Sequence, residues 1–145
     1  MEKTKEQISN YLTTHRKMTL ATVSPEGNPT GHTVEYVSNG TVVFFATQKA
    51  TRKVRNIMHN HKVAYTVDED YDDWMAIQGV QMQGTASIVE DEDEAGDVFA
   101  MYVKKFPFVA NFPPNPNLIF IKVVPQSAFF LDYKKGFTHR DAVTF

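Results

Sequence analysis

Four cations and a hydroxyl crowd one short stretch of this sequence: Lys49, Thr51, Arg52, Lys53 and Arg55. Thr41 to Ala46 (TVVFFA), just before them, is apolar and rich in β-branched and aromatic residues, the composition of a strand. Val54, Ile57 and Met58, just after, recur at helical spacing. The stretch therefore predicts a strand that runs into a helix with a cationic first turn. Arg and Lys at a helix start oppose the helix dipole, and an anion held there relieves the conflict. Phosphate suits such a position, because free backbone N–H groups, a hydroxyl and charged donors converge on it. Arg52 and Lys53 are the expected contacts, with the Thr51 hydroxyl as a third donor and Arg55 facing solvent. No glycine-rich nucleotide loop accompanies them.

Elsewhere the residues with chemistry to offer are fewer. His32 follows Gly31 in a predicted strand, where packing and ligand contact are both open readings. His59 and His61 flank the end of the junction helix and read as structural, and no histidine spacing matches a zinc motif. Gln78, Gln81 and Gln83 carry amides that can donate to ring carbonyls and accept from ring N–H groups. Strand alternation puts Gln81 and Gln83 on one face and Gln78 on the other. No serine–histidine–acid set with a nucleophile-elbow glycine pattern is present, and cysteine is absent. The acidic runs, Asp68 to Asp73 and Glu90 to Glu94, read as solvated surface. An enzyme built from these residues needs a cofactor for its reactivity.

The whole chain sets the frame for this junction. Its 145 residues are expected to form one domain, 1–145, with an ordinary share of apolar residues. Net charge is −2, so one basic segment stands in a weakly acidic protein. That balance fits a small anionic ligand better than a nucleic-acid backbone. The absence of a secretory leader and of a long apolar run leads to the expectation of a cytoplasmic protein with no membrane contact.

Taken in order, Thr4 is expected to cap a first helix with Gln7 completing a capping box, and the helix to close near His15 and Arg16. Strands are expected over Met18 to Val23, His32 to Val37 and Thr41 to Ala46. Ser24 to Pro29 and Asn39-Gly40 supply the turns between them. After the junction helix come a strand over Lys62 to Val67, an acidic loop, and a long strand over Trp74 to Val89 bent at Gly79 and Gly84. Asp91 to Phe106 is the clearest helix, with Val98, Phe99, Tyr102, Val103 and Phe106 as its apolar stripe. A proline-punctuated loop, Pro107 to Pro116, leads to two closing strands, Leu118 to Val124 and Ala128 to Asp132, on either side of Pro125. Seven strands adjacent in sequence and three helices predict a small antiparallel barrel decorated by helices.

The junction FFATQKATRKVRNIMHNHKVAYTV resembles the flavin-binding split-barrel family related to pyridoxamine 5′-phosphate oxidase. The likeness extends through LATVSPEGNPTGHTVEYV, IQGVQMQGTASIV and the closing FIKVVPQSAFFLDY, and so over nearly the whole chain. It implies a six-stranded antiparallel split β-barrel, mainly β with flanking helices. It also implies a homodimer that binds FMN at its interface and an oxidoreductase working by electron or hydride transfer through the flavin. A non-enzymatic flavin or haem binder is the alternative within the same fold. On the matching positions, Thr51, Arg52 and Lys53 would hold the flavin phosphate. Thr47 and the segment His32, Thr33, Val34 and Glu35 would lie along the ribityl chain and ring, and Gln78 or Gln81 would approach the ring. His32 stands where the oxidase commonly has arginine. The resemblance therefore speaks for FMN more strongly than for any substrate.

Overall fold

Alternation along seven strands decides which side chains enter the interior. The computed structural model describes residues Met1–Phe145. Its elements are α1 (Glu2–Thr14), β1 (Lys17–Val23), β2 (Pro29–Asn39), β3 (Val42–Gln48), α2 (Arg52–His59), β4 (Lys62–Val67), β5 (Gln78–Ile88), α3 (Glu92–Lys105), β6 (Leu118–Asp132) and β7 (Arg140–Thr144). The strands pair in the order β3-β2-β1-β4-β5-β6-β7, and β3 also pairs with β6. Six antiparallel strands thus close into a barrel, with β7 added outside the ring. Met18 and Leu20 of β1, Val34 and Tyr36 of β2, Val43 and Phe45 of β3 and Tyr65 of β4 fill the interior with their neighbours.

Each helix has its own task. α1 covers one end of the barrel with Ile8, Tyr11 and Leu12, which are buried. α2 covers the other end with Val54, Asn56 and Ile57. α3 lies on the outside, where Val98, Tyr102 and Phe106 pack on Val37 and Phe44 in a second, smaller core. The Tyr102 hydroxyl donates to the Glu35 carbonyl at 2.9 Å and accepts from the Ala46 amide at 3.0 Å, pinning α3 to β2 and β3. Phe99, expected in the buried stripe, is instead 48% exposed.

The expected strand boundaries hold closely for β1, β3 and β4, β2 extends beyond the expected His32 to Val37 at both ends, and four other expectations need correction. α1 starts at Glu2 with Met1 as its cap and no side-chain cap bond, so the Thr4 capping box is not used. Trp74–Ala76 forms a 3-10 turn, and the long strand begins only at Gln78. The two closing strands are one fifteen-residue strand, β6, that runs through Pro125. Proline is tolerated there because the outer edge of β6 changes partner at that point. Residues 118–123 pair with β3 and residues 127–131 with β7, so no ladder bond is asked of the missing N–H. Opposite Pro125 the β5–β6 register shifts at Gln83/Gly84. A Cβ on Gly84 would lie 2.5 Å from the Val124 carbonyl oxygen, which is why only glycine fits. Finally, β7 is a strand that sequence reasoning missed. The expected seven strands equal the observed number only because β6 was divided in two.

One face of the sheet lies bare. Across it run two rows in register: Thr33, Thr19, Thr66, Gln81, Phe129 and Ala142, then Gly31, Ala21, Ala64, Gln83, Ser127 and Thr144. Neither row contains a charged residue, and most of the side chains are small. A shallow hollow of about 600 Å³ follows this face. No helix is long and apolar enough to cross a membrane.

Candidate functional site

The β3–α2 junction forms as the sequence requires. β3 ends at Gln48, the backbone turns over Lys49 and Ala50, and Thr51 caps α2 by accepting from the Val54 amide. The Thr51 hydroxyl donates in turn to the Gln48 carbonyl at 3.2 Å, so its hydrogen is engaged within the turn. The Lys53 ammonium donates to the Thr47 hydroxyl at 3.0 Å. Burial holds the Lys53 pKa below its usual value. Arg52 and Arg55 are exposed.

Crowding rather than lack of ion pairs separates this junction from the rest of the molecule: most lysines and arginines are unpaired, but only here do four stand within seven residues. Ion pairs join Lys5 to Glu2, His15 to Glu69, Lys122 to Glu94, and both Lys135 and His139 to Asp141. Lys49, Arg52, Lys53 and Arg55 take part in none. Four cations around one helix start, one of them partly desolvated, are left without an acid. The arrangement disfavours itself electrostatically and is relieved by an anion.

His32 reaches this place from inside the barrel. Thr22 of β1 and Thr30 and His32 of β2 point to the end covered by α2, and Asn56 of α2 comes down on them. The Asn56 amide nitrogen lies 3.0 Å from both threonine hydroxyls. Those hydroxyls lie 2.8 Å apart, and His32 Nε2 is 2.9 Å from Thr22 Oγ1 and 3.1 Å from Thr30 Oγ1. Desolvation, then the charges of Lys53 and Arg52, lower the His32 pKa. Sequence reasoning overlooked Thr22, Thr30 and Asn56. The signal was the alternation that places Thr22 on the face of Met18 and Leu20, a polar residue on an apolar stripe.

The structure therefore brings His32, Thr47, Thr51, Arg52 and Lys53 together. Thr33 and Glu35 lie on the outer face of β2, while Val34 is in the core and can offer a ligand only its backbone. The two glutamines stand apart. Gln78 lies at the opposite end of the barrel, where its amide donates to buried Asp132 at 3.1 Å and its carbonyl accepts from Tyr11. Gln81 shares the bare sheet face with Thr33 but is three strands away, about 14 Å at ordinary strand spacing. Sharing a strand with a site face does not place a residue in the site.

Beside the junction, on the outer side of β3, lies an apolar cavity of about 760 Å³. Ala46, Gln48, Phe99, Tyr102, Phe112, Leu118 and Phe120 line it. Its size and lining suit a small organic molecule.

The pyridoxamine 5′-phosphate oxidase family model matches residues 4–132. The chain belongs to the pyridoxamine 5′-phosphate oxidase family. Among curated proteins none matches this sequence. Solved structures with the same fold include a conserved hypothetical protein from Mycobacterium tuberculosis (TM-score 0.78, 21% identity, 89% of this chain and 84% of that one). A haem-binding protein from Mycobacterium smegmatis is similar at TM-score 0.82 and 18% identity, covering 97% of this chain and 57% of that one. HutZ, a haem storage protein from Vibrio cholerae, is similar at TM-score 0.71 and 22% identity, covering 83% of this chain and 88% of that one. At these identities the likeness carries the fold alone.

Proposed function

We propose that this member of the pyridoxamine 5′-phosphate oxidase family binds FMN by its phosphate at the β3–α2 junction and serves as an oxidoreductase. One observation carries the proposal: the junction gathers four cations within seven residues, and none of them is in ion-pair reach of a carboxylate. The phosphate end of FMN fits this site. Arg52 and Lys53 would hold it by charge, α2 would present its free amides, and His32 and Thr47 would border it. Thr33, Glu35 and the Val34 backbone lie along β2 in the direction a ring would take. FMN, when bound, would supply hydride or electron transfer. The protein's part is to anchor and orient it, since no side chain here is arranged as a nucleophile with its base.

Two copies of the chain would complete the site. The uncharged double row on the sheet face is self-complementary in character, small and flat enough for a second sheet to lie against it. Gln81 sits on that face, so it would meet a ring held across the interface rather than one held by its own junction. Light scattering at micromolar concentration should give a dimer, and Ala64→Arg should give monomers. Monomers from the unaltered protein would end the two-copy reading.

A haem-handling role is the second reading, favoured by the fold shared with proteins described as haem-binding and haem-storing. Titration of the purified protein decides between them. Saturable quenching of FMN fluorescence near one per chain supports the flavin. A Soret band on haem addition that FMN does not suppress, without any FMN quenching, supports haem.

A further inference from the structure

We propose that Asn56 is a positioning residue that, through Thr22 and Thr30, holds His32 as the neutral tautomer with its proton on Nδ1, ready to donate to a phosphate monoester. The inference rests on the reading of the junction as a phosphate site, and its own basis is a count of hydrogens. The Asn56 amide has two, and it is within 3.0 Å of both threonine hydroxyls, so each hydroxyl accepts one. Each hydroxyl then has a single hydrogen to give. The contacts are satisfied at their short distances when Thr30 donates to Thr22 at 2.8 Å and Thr22 donates to His32 Nε2 at 2.9 Å. The reverse direction, with Nε2 donating, leaves the Thr30 hydrogen only the Thr22 carbonyl at 3.5 Å, which is a poor bond.

Nε2 is thus an acceptor, and in a neutral ring the proton sits on Nδ1, which has no partner within the chain. Asn56 itself is 2% exposed, so water does not compete for its amide. The charged groups that reach the ring are Lys53 and Arg52, both cationic. They disfavour a second proton on His32, and an anion bound between them would meet a neutral N–H rather than a third charge.

Histidine labelled with nitrogen-15 tests this in the ligand-free protein, with the His32 signals identified by their loss in His32→Gln. The expected spectrum near neutral pH has a pyridine-like Nε2 and a pyrrole-like Nδ1. Asn56→Asp turns the donor into an acceptor of nearly the same shape; both hydroxyls then point at it, Nε2 must donate, and the two signals should exchange. Thr22→Val, close in shape, removes the shorter donor to Nε2 and should move both signals toward intermediate values. The Kd for FMN should then rise about twofold, the inverse of the share of rings still protonated on Nδ1, with the riboflavin Kd unchanged. A pyrrole-like Nε2 in the unaltered protein, or unchanged signals in folded Asn56→Asp, would overturn the positioning role. The expected tautomer with no FMN binding would leave that role standing and remove the phosphate reading.

Discussion

The two ends of the barrel are each closed by a helix, and they are wired in opposite ways. At the α1 end most polar groups have found a partner, the buried Gln7 Oε1 being an exception. His15 is stacked on Tyr11 with ring centroids 3.8 Å apart, and its Nε2 meets Glu69 at 3.0 Å. The Tyr71 hydroxyl donates to the same carboxylate, and the Tyr11 hydroxyl contacts Tyr71 at 2.9 Å and donates to the Gln78 carbonyl. The Tyr36 hydroxyl donates to the Leu12 carbonyl at 2.6 Å. At the α2 end the buried hydroxyls and amide are satisfied, but the cations above them are not. One end spends its polar groups on holding the fold. The other crowds four cations into seven residues with no carboxylate in ion-pair reach, a feature that an outside anion would answer.

The largest effect that would break this contrast is on binding. Arg52→Ala with Lys53→Ala should weaken FMN binding at least a hundredfold, two charge-assisted bonds at about 1.5–3 kcal/mol each, while riboflavin binding changes by less than about threefold. Equal losses for both flavins, read by fluorescence titration, would mean that these cations do not touch phosphate. Without ligand, Arg52→Ala alone should melt no lower than the parent, because removing an unpaired cation from a helix start relieves about 0.3–1 kcal/mol, whereas Lys53→Ala also gives up the bond to Thr47.

The opposite end should respond in the opposite sense. Tyr11→Phe deletes a hydroxyl that bridges the acidic loop and β5, so stability should fall by about 1–2 kcal/mol, a melting shift of about 3–6 °C, with FMN affinity unchanged. A smaller effect concerns pH. Because the fold lowers the His32 pKa, the unfolded chain takes up the proton first as pH falls. The His32 contribution is therefore complete above the ordinary imidazole value of about 6.5 and is lost as pH drops through the window below it. His32→Gln should flatten that part of a urea-midpoint profile, and an unchanged slope would assign it elsewhere. Smallest of all, Glu69→Gln at an exposed pair should lower the melting temperature only slightly, read against the parent in the same thermal scan.

Most of the barrel was legible because its strands are short, alternate cleanly and are joined by turns with strong chemistry, as at Asn39-Gly40. β6 was misread because a proline inside a strand ordinarily ends it. What spared β6 is a change of neighbour at Pro125, a tertiary fact with no local signature. β7 was missed because RDAVT is brief and mostly polar outside Val143. Within the site, Arg52 and Lys53 were visible from charge spacing alone, and Thr51 from its capping position. Gln78 drew attention for its chemistry but is committed to Asp132, a residue 54 positions away. Asn56 was hidden by the opposite bias: an asparagine in a basic helix reads as solvated until the helix is seated.

β7 also bears on how the protein behaves in concentrated solution. Closure between β3 and β6 removes two sheet edges, so the outer side of β7 is left as the end of the strand order. An unpaired strand edge is a template for another chain. Here it is five residues long, it opens with Arg140 and Asp141, and Lys135 at 3.1 Å and His139 at 3.0 Å crowd the same aspartate. A short, charged border of this kind stops one sheet from growing into the next. Replacing Arg140 and Asp141 with valine would extend an apolar margin beside Val143 and turn a terminating strand into a seed for filaments.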